Sequence, residues 1–152
     1  MTSRMIDKKT LSKMVRLALS ARDNAYAPSS NHPVGCSVLT ASGKFYAGCN
    51  CELANYDITC AENAALAAMV TDGERVIRAI LTVGPSSKYL CTPCGRCRQR
   101  IREFCDSKTV IYAMKEDGSF GKSFTMEELL PFSFGPEHLR ALQKKKKKKS
   151  KK

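Results

Sequence analysis

The sequence predicts an α/β fold: a three-layer α/β/α sandwich on a mixed five-stranded sheet. Three observations carry this expectation. Segments with apolar residues at helical spacing alternate with short apolar runs rich in β-branched residues. Two strand–helix pairs in the middle of the chain require crossovers that lay helices on both faces of a sheet. Towards each end, a turn-like stretch ("ASG", then "KEDGSF") joins two strand-like runs as a hairpin. The predicted order is α-β-β-α-β-α-β-β-α, with no internal repeat.

Each element has its own signal. Leu11, Met14, Val15, Ala18 and Leu19 recur at helical spacing and predict an amphipathic helix over 8–25. "YAPSSNHP" breaks it. "VGCSVLT" and "KFYAGC" read as the first hairpin. A polar loop over 50–59 leads into an alanine-rich helix that begins near Cys60 and stops at "TDG". "VIRAILTV" reads as a central buried strand. Pro93 suits the start of the next helix, which runs to about Phe104. "TVIYAM" is a strand, "TMEELL" a short helix, and a last helical turn or two follows "PFSFGP".

The chain has 152 residues, enough for one domain with a full hydrophobic core and too few for two comfortable ones. Its 43% hydrophobic and 26% charged residues are ordinary for a globular protein. The net charge of +12 resembles a nucleic-acid signature until it is located. Lysines at 144–149, 151 and 152 supply eight of those charges, so residues 1–143 carry only +4. The expected division is therefore a domain over 1–143 and a disordered lysine-rich tail over 144–152. The tail has no interleaved aromatic residues, so its contact with nucleic acid would be non-specific. No apolar run is long enough to span a bilayer, and "MTSRMIDKKT" lacks the apolar core of a signal peptide. A cytoplasmic location is expected, without a membrane partner. The eight cysteines are then not expected to form a disulfide framework.

Cys36, Cys49 and Cys105 lie in apolar runs and read as small buried hydrophobes. Cys94 and Cys97 do not. The element assignment puts Cys60 at one helix start and Cys94 with Cys97 on the first turn of another. In an open α/β sheet such helix starts gather at one edge, where ligand sites form. Their partial positive charge favours thiolates. Three thiolates make a tetrahedral zinc site with one vacancy, the mark of a catalytic zinc. A Cys-x-x-Cys redox pair is one alternative, and a structural zinc knuckle completed by Cys60 and Cys91 is another.

The pattern Cys60-Ala61-Glu62 followed by Pro93-Cys94-Gly95-Arg96-Cys97 matches the zinc deaminase signature, in which the Glu is not a ligand. Over about residues 26–139 the chain resembles the cytidine deaminase family, in its small homotetrameric branch with three cysteine ligands. "HPVGCSVL", "GCNCELANY", "PCGRCRQ" and "ELLPFSFGP" fall in the family's order. The resemblance implies one Zn2+ per chain on Cys60, Cys94 and Cys97, with Glu62 as the catalytic acid–base. It implies hydrolytic deamination of cytidine or deoxycytidine to uridine or deoxyuridine with release of ammonia, a step of pyrimidine salvage. The substrate-binding positions it implies are Asn50 and Glu52 at the ribose, Ala61 and His32 at the base, and Phe134 supplied by a neighbouring subunit.

Several positions depart from the family pattern. Leu53 stands where Asn is usual, the loop before Cys60 is one residue shorter, and His32 replaces a pocket Phe. Asn63 replaces an Arg that offsets thiolate charge in many relatives. Three thiolates and Zn2+ sum to −1, so a cation near the sulfurs is expected, and Arg96 is the candidate for it. "PCGRCRQ" also resembles blasticidin-S deaminase, the nearest alternative. A nucleic-acid cytosine deaminase is a further one.

Overall fold

The computed structural model describes residues 5–139; a helical turn over 136–139 follows "PFSFGP" as expected, and the lysine run lies outside the described residues. Five strands form one mixed sheet: β1 (Gly35–Thr40), β2 (Phe45–Cys49), β5 (Ile77–Val83), β6 (Val110–Met114) and β7 (Phe120–Phe124). Their spatial order is β2-β1-β5-β6-β7. Every neighbouring pair is antiparallel except β5 and β6, which run parallel with Ala79 opposite Val110 and Val83 opposite Met114. A parallel pair needs a crossover, and the crossover here carries α3 (Gly95–Phe104). The five predicted strands, the two predicted hairpins and the mixed character of the sheet are those observed.

Two helix layers cover the sheet. Along β5 the residues alternate from Ala79 onward: Ala79, Leu81 and Val83 pack with Met14 and Ala18 of α1 (Lys8–Asp23), whereas Ile80 faces Ala65, Leu66 and Met69 of α2 (Ala61–Thr71), joined by Ile77 across a register shift opposite Leu39 and Thr40. α3 joins the second face through Ile101, and α4 (Met126–Leu129) through Met126 and Leu129. The alternation is the period-2 pattern of a strand buried on both sides. α1 starts where Asp7 accepts from the Thr10 N–H at 2.9 Å and ends two residues earlier than expected, at an Asn24 cap whose N–H bonds back to Ala21 and Arg22 carbonyls. α4 opens on a capping box in which Thr125 and Glu128 bond each other's backbone.

The stretch over 50–59, expected to be a loop, holds a small antiparallel ribbon, β3 (Cys51–Glu52) and β4 (Ile58–Thr59). Cys51 also bridges Tyr26. Two residues per strand is too short for any hydrophobic period to register.

Two glycines set how closely the helix layers approach. A Cβ on Gly35 would lie 1.8 Å from the Ala18 carbonyl oxygen of α1, and one on Gly48 would lie 2.5 Å from the Ala65 nitrogen of α2. Both helices therefore rest directly on strand backbone. Gly35→Ala is expected to lower stability by about 1–3 kcal/mol or more, because only backbone movement could relieve the clash. Urea unfolding read at the transition midpoint checks this; an unchanged midpoint would show that α1 can shift freely.

Candidate active site

Cysteine is an unusual helix N-cap. Ser, Thr, Asp and Asn lead at that position because their side-chain oxygen takes an orphan N–H, a bond worth roughly 0.5–2 kcal/mol. In this protein Cys60 caps α2 and Cys94 caps α3, both with extended backbone and neither with a side-chain cap bond. Two helices thus forgo the usual cap, and their sulfurs are left for other work. Cys94 sits one step earlier than expected: it is the cap itself, with Pro93 before it, and the first turn carries Cys97 alone.

The Sγ atoms of Cys60, Cys94 and Cys97 lie within 4.8 Å of one another. A tetrahedral zinc with bonds of about 2.3 Å would hold its sulfurs about 3.8 Å apart, so the set needs only a small contraction to close on the ion. The acid–base chemistry of the cluster agrees. Burial, then the charges of Glu62 and Cys60, pushes the Cys97 thiol far above its ordinary range. Burial also pushes Cys94 up, but the Cys97 N–H and the Cys97 and Cys60 thiols outweigh it, and the Cys94 thiol ends below its usual value. Protein alone does not let all three ionise together; a dication would. The donor set fits one zinc ion per chain.

Glu62 lies on the first turn of α2 and is 5% exposed. Burial raises its carboxyl above the ordinary range, against a smaller lowering by its own backbone N–H and by Cys97 beside it. A carboxyl shifted in that direction is better suited to accept a proton and pass it on. Ala61, the first residue of α2, is 1% exposed. Arg96, on the first turn of α3, places Nη2 2.7 Å from the Ile58 carbonyl oxygen and 3.9 Å from Cys60 Sγ. Its guanidinium therefore reaches the Cys60 sulfur.

The other expected positions lie around residues 29–34. Asn50 is 7% exposed; its Oδ1 accepts from the Val34 N–H at 2.8 Å and its Nδ2 donates to the His32 carbonyl at 3.1 Å. Glu52 accepts from the N–H groups of Ser29 and Ser30, each at 3.0 Å, and from the Ser30 hydroxyl. The Ser30 hydroxyl, with those N–H groups, holds the Glu52 carboxyl below its usual range. Both side chains are thus committed in part to shaping the 29–34 segment. One Asn50 N–H and further Glu52 lone pairs remain for another ligand. A Cβ on Gly84 would fall 2.6 Å from Cys91 Cβ and 3.6 Å from His32 Nε2, so both side chains border the space this glycine leaves open. Phe134 is joined to none of these: it is 55% exposed, stacked on His138 at 4.8 Å.

Sequence reasoning missed the anchors of this site. Ser29 and Ser30 carried a turn signal but nothing that tied them to Glu52. Cys91 had been weighed only as a knuckle ligand; it lies outside the three-sulfur set, and burial, then the Glu62 charge, pushes its thiol up to about 12. Cys36, expected to be inert core, is fully buried within reach of the Glu62 charge.

A mixed sheet presenting three thiols and a buried carboxyl at two helix starts defines a zinc-dependent hydrolytic deaminase. Residues 8–114 match the cytidine and deoxycytidylate deaminase zinc-binding region. The chain is 38% identical over 128 residues to a cytidine deaminase of Sporosarcina psychrophila, covering 84% of this chain and 93% of that one. It is 35% identical over 127 residues to one of Halalkalibacterium halodurans, covering 83% and 95%. A crystal structure of cytidine deaminase from Burkholderia pseudomallei superposes with a TM-score of 0.74 at 34% identity, over 81% of this chain and 98% of that one. The chain belongs to the cytidine deaminase family.

Cys94→Ala is expected to lose the metal and lower thermal stability, because binding of a structural or catalytic zinc is coupled to the fold. Elemental analysis of the purified variant checks this. One zinc per chain at wild-type affinity would remove Cys94 from the ligand set.

Proposed function

We propose that the protein hydrolytically deaminates cytidine and deoxycytidine, with Cys60, Cys94 and Cys97 as the zinc ligands. The observation that carries this reading is the buried Glu62 beside three clustered thiols at two cysteine-capped helix starts. Zinc, when bound, supplies the Lewis acidity that makes water a nucleophile near neutral pH. Glu62 takes the proton of the attacking water and hands it to the ring nitrogen as oxygen adds at C4. It then shuttles the second proton to the amino group, the C4–N bond breaks, and ammonia leaves the uracil product. Atoms balance as one water in and one ammonia out. Ala61 and His32 border the base, and the free N–H of Asn50 and lone pairs of Glu52 meet the ribose hydroxyls.

The relatives' names favour the nucleoside over blasticidin S. The finer reading is a cytoplasmic homotetramer in pyrimidine salvage, in which Phe134 of one chain walls the base pocket of the next. Its exposure supports this. Eight unpaired cysteines support a reducing compartment, although no property of the chain names one. Among the described residues no helix is long and apolar enough to cross a membrane.

Two measurements test the reading. Ultraviolet spectra of the zinc-loaded protein are expected to show turnover of cytidine and deoxycytidine, and none of a cytosine-containing oligonucleotide; conversion of blasticidin S alone, or the oligonucleotide alone, would overturn the assignment. Glu62→Gln is expected to keep zinc and fold while turnover falls roughly 10²–10⁴-fold. Near-normal turnover would strip Glu62 of its role.

Arg96 is proposed as the cation that offsets the three thiolates. A positive charge beside the sulfurs favours their anionic form, and solvent exposure and salt weaken the effect. Removing it favours the protonated form of the attacking water. Arg96→Gln is therefore expected to lower turnover at neutral pH and move the acidic limb of the pH–rate profile upward. An unmoved limb with unchanged turnover would assign the compensation to the helix ends.

A further inference from the structure

The segment that carries Phe134 is tied to one helix. Arg98, Gln99 and Arg102 stand at i, i+1 and i+4 on α3 and so share a face. Arg98 Nη1 donates to the Leu129 carbonyl at 3.0 Å, Gln99 Nε2 to the Phe134 carbonyl at 2.9 Å, and Arg102 Nε to the Ser133 hydroxyl at 2.8 Å. Arg102 also forms an ion pair with Glu137. Among the described residues, every hydrogen bond from residues 131–139 to an earlier element comes from this face.

The backbone is adapted to these ties. A Cβ on Gly135 would fall 2.6 Å from Arg102 Nη2 and 2.5 Å from Glu137 Oε2, so a glycine there makes room for the ion pair. Phe132, fully exposed, sits at φ 54, a conformation bulky residues rarely adopt. The Phe134 ring, despite its exposure, is braced by His138, whose Nδ1 accepts from the Gly135 N–H at 3.0 Å. An exposed aromatic ring held in one pose is suited to a pocket that it does not itself line.

We propose that Arg102, with Gln99, is a positioning residue for Phe134: the α3 face fixes the ring in the pose that completes the base pocket of a second copy of this chain. This rests on the reading of Phe134 given above. α3 then serves two sites at once, sulfur ligands at its start and a neighbour's pocket wall along its flank.

The test is steady-state kinetics on cytidine with the zinc-loaded oligomer of wild type, Arg102→Gln, Phe134→Ala and the double variant. Arg102→Gln is expected to raise KM roughly threefold to tenfold with kcat nearly unchanged, and to add nothing once Phe134 is alanine, because the two act through one contact. If Arg102→Gln raises KM equally in both backgrounds, or leaves it unchanged, Arg102 acts elsewhere and the inference is overturned while the Phe134 reading stands. If Phe134→Ala leaves KM at the wild-type value, that reading fails and the inference with it. Should Arg102→Gln not fold, Glu137→Gln breaks the same ion pair from its exposed end, and the same cycle with Phe134→Ala decides the matter.

Discussion

Like charges crowded into one small space set the terms for this molecule. Three sulfurs within 4.8 Å of one another, next to a carboxyl that is 5% exposed, cannot all be anionic unless a cation sits among them. The rest of the local structure answers to that constraint. Cysteines replace the usual oxygen caps on two helices, so the sulfurs meet where N–H dipoles converge. Arg96 reaches across from α3 towards Cys60. Burial raises the Glu62 carboxyl above its ordinary range.

Meeting that constraint is a matter of helix placement. α2 can bring Cys60 to the site only because it rests on the bare backbone of Gly48, through an alanine-rich face that leaves no spacer between helix and strand. α3 follows from the parallel β5–β6 pair, whose crossover must lie on a sheet face. Arg98 then ties the ligand-bearing turn to its surroundings, donating to the Pro93 carbonyl at 2.7 Å and to the Leu129 carbonyl. The ligand-bearing start of α3 is thereby hydrogen-bonded to the end of α4.

The layers, the strand order's hairpins and the two helix starts were legible in the sequence because each rests on a periodicity or a turn residue. So were Cys60, Glu62, Cys94 and Cys97, whose spacing is short and chemically specific. The β3–β4 ribbon was not, since two residues cannot display a period. Nor was the hold of Ser29 and Ser30 on Glu52, which joins residues more than twenty positions apart through a carboxylate that any solvated loop could carry. Asn50 and Glu52 read from the sequence as ligand groups alone; folded, they are also struts for the segment before β1.

The cysteines reach the site by unequal routes, and this orders the assembly of the centre. Cys94 and Cys97 are brought together by a single helical turn, so a chain with only the start of α3 formed already presents both. Cys60 arrives from beyond β5, after a long loop has closed and α2 has docked, a step whose entropic cost delays it. An ion met during folding is therefore gripped first by local structure and enclosed last by tertiary structure. In the reverse direction, loosening of α2 opens the centre on the Cys60 side while the other two sulfurs keep their hold.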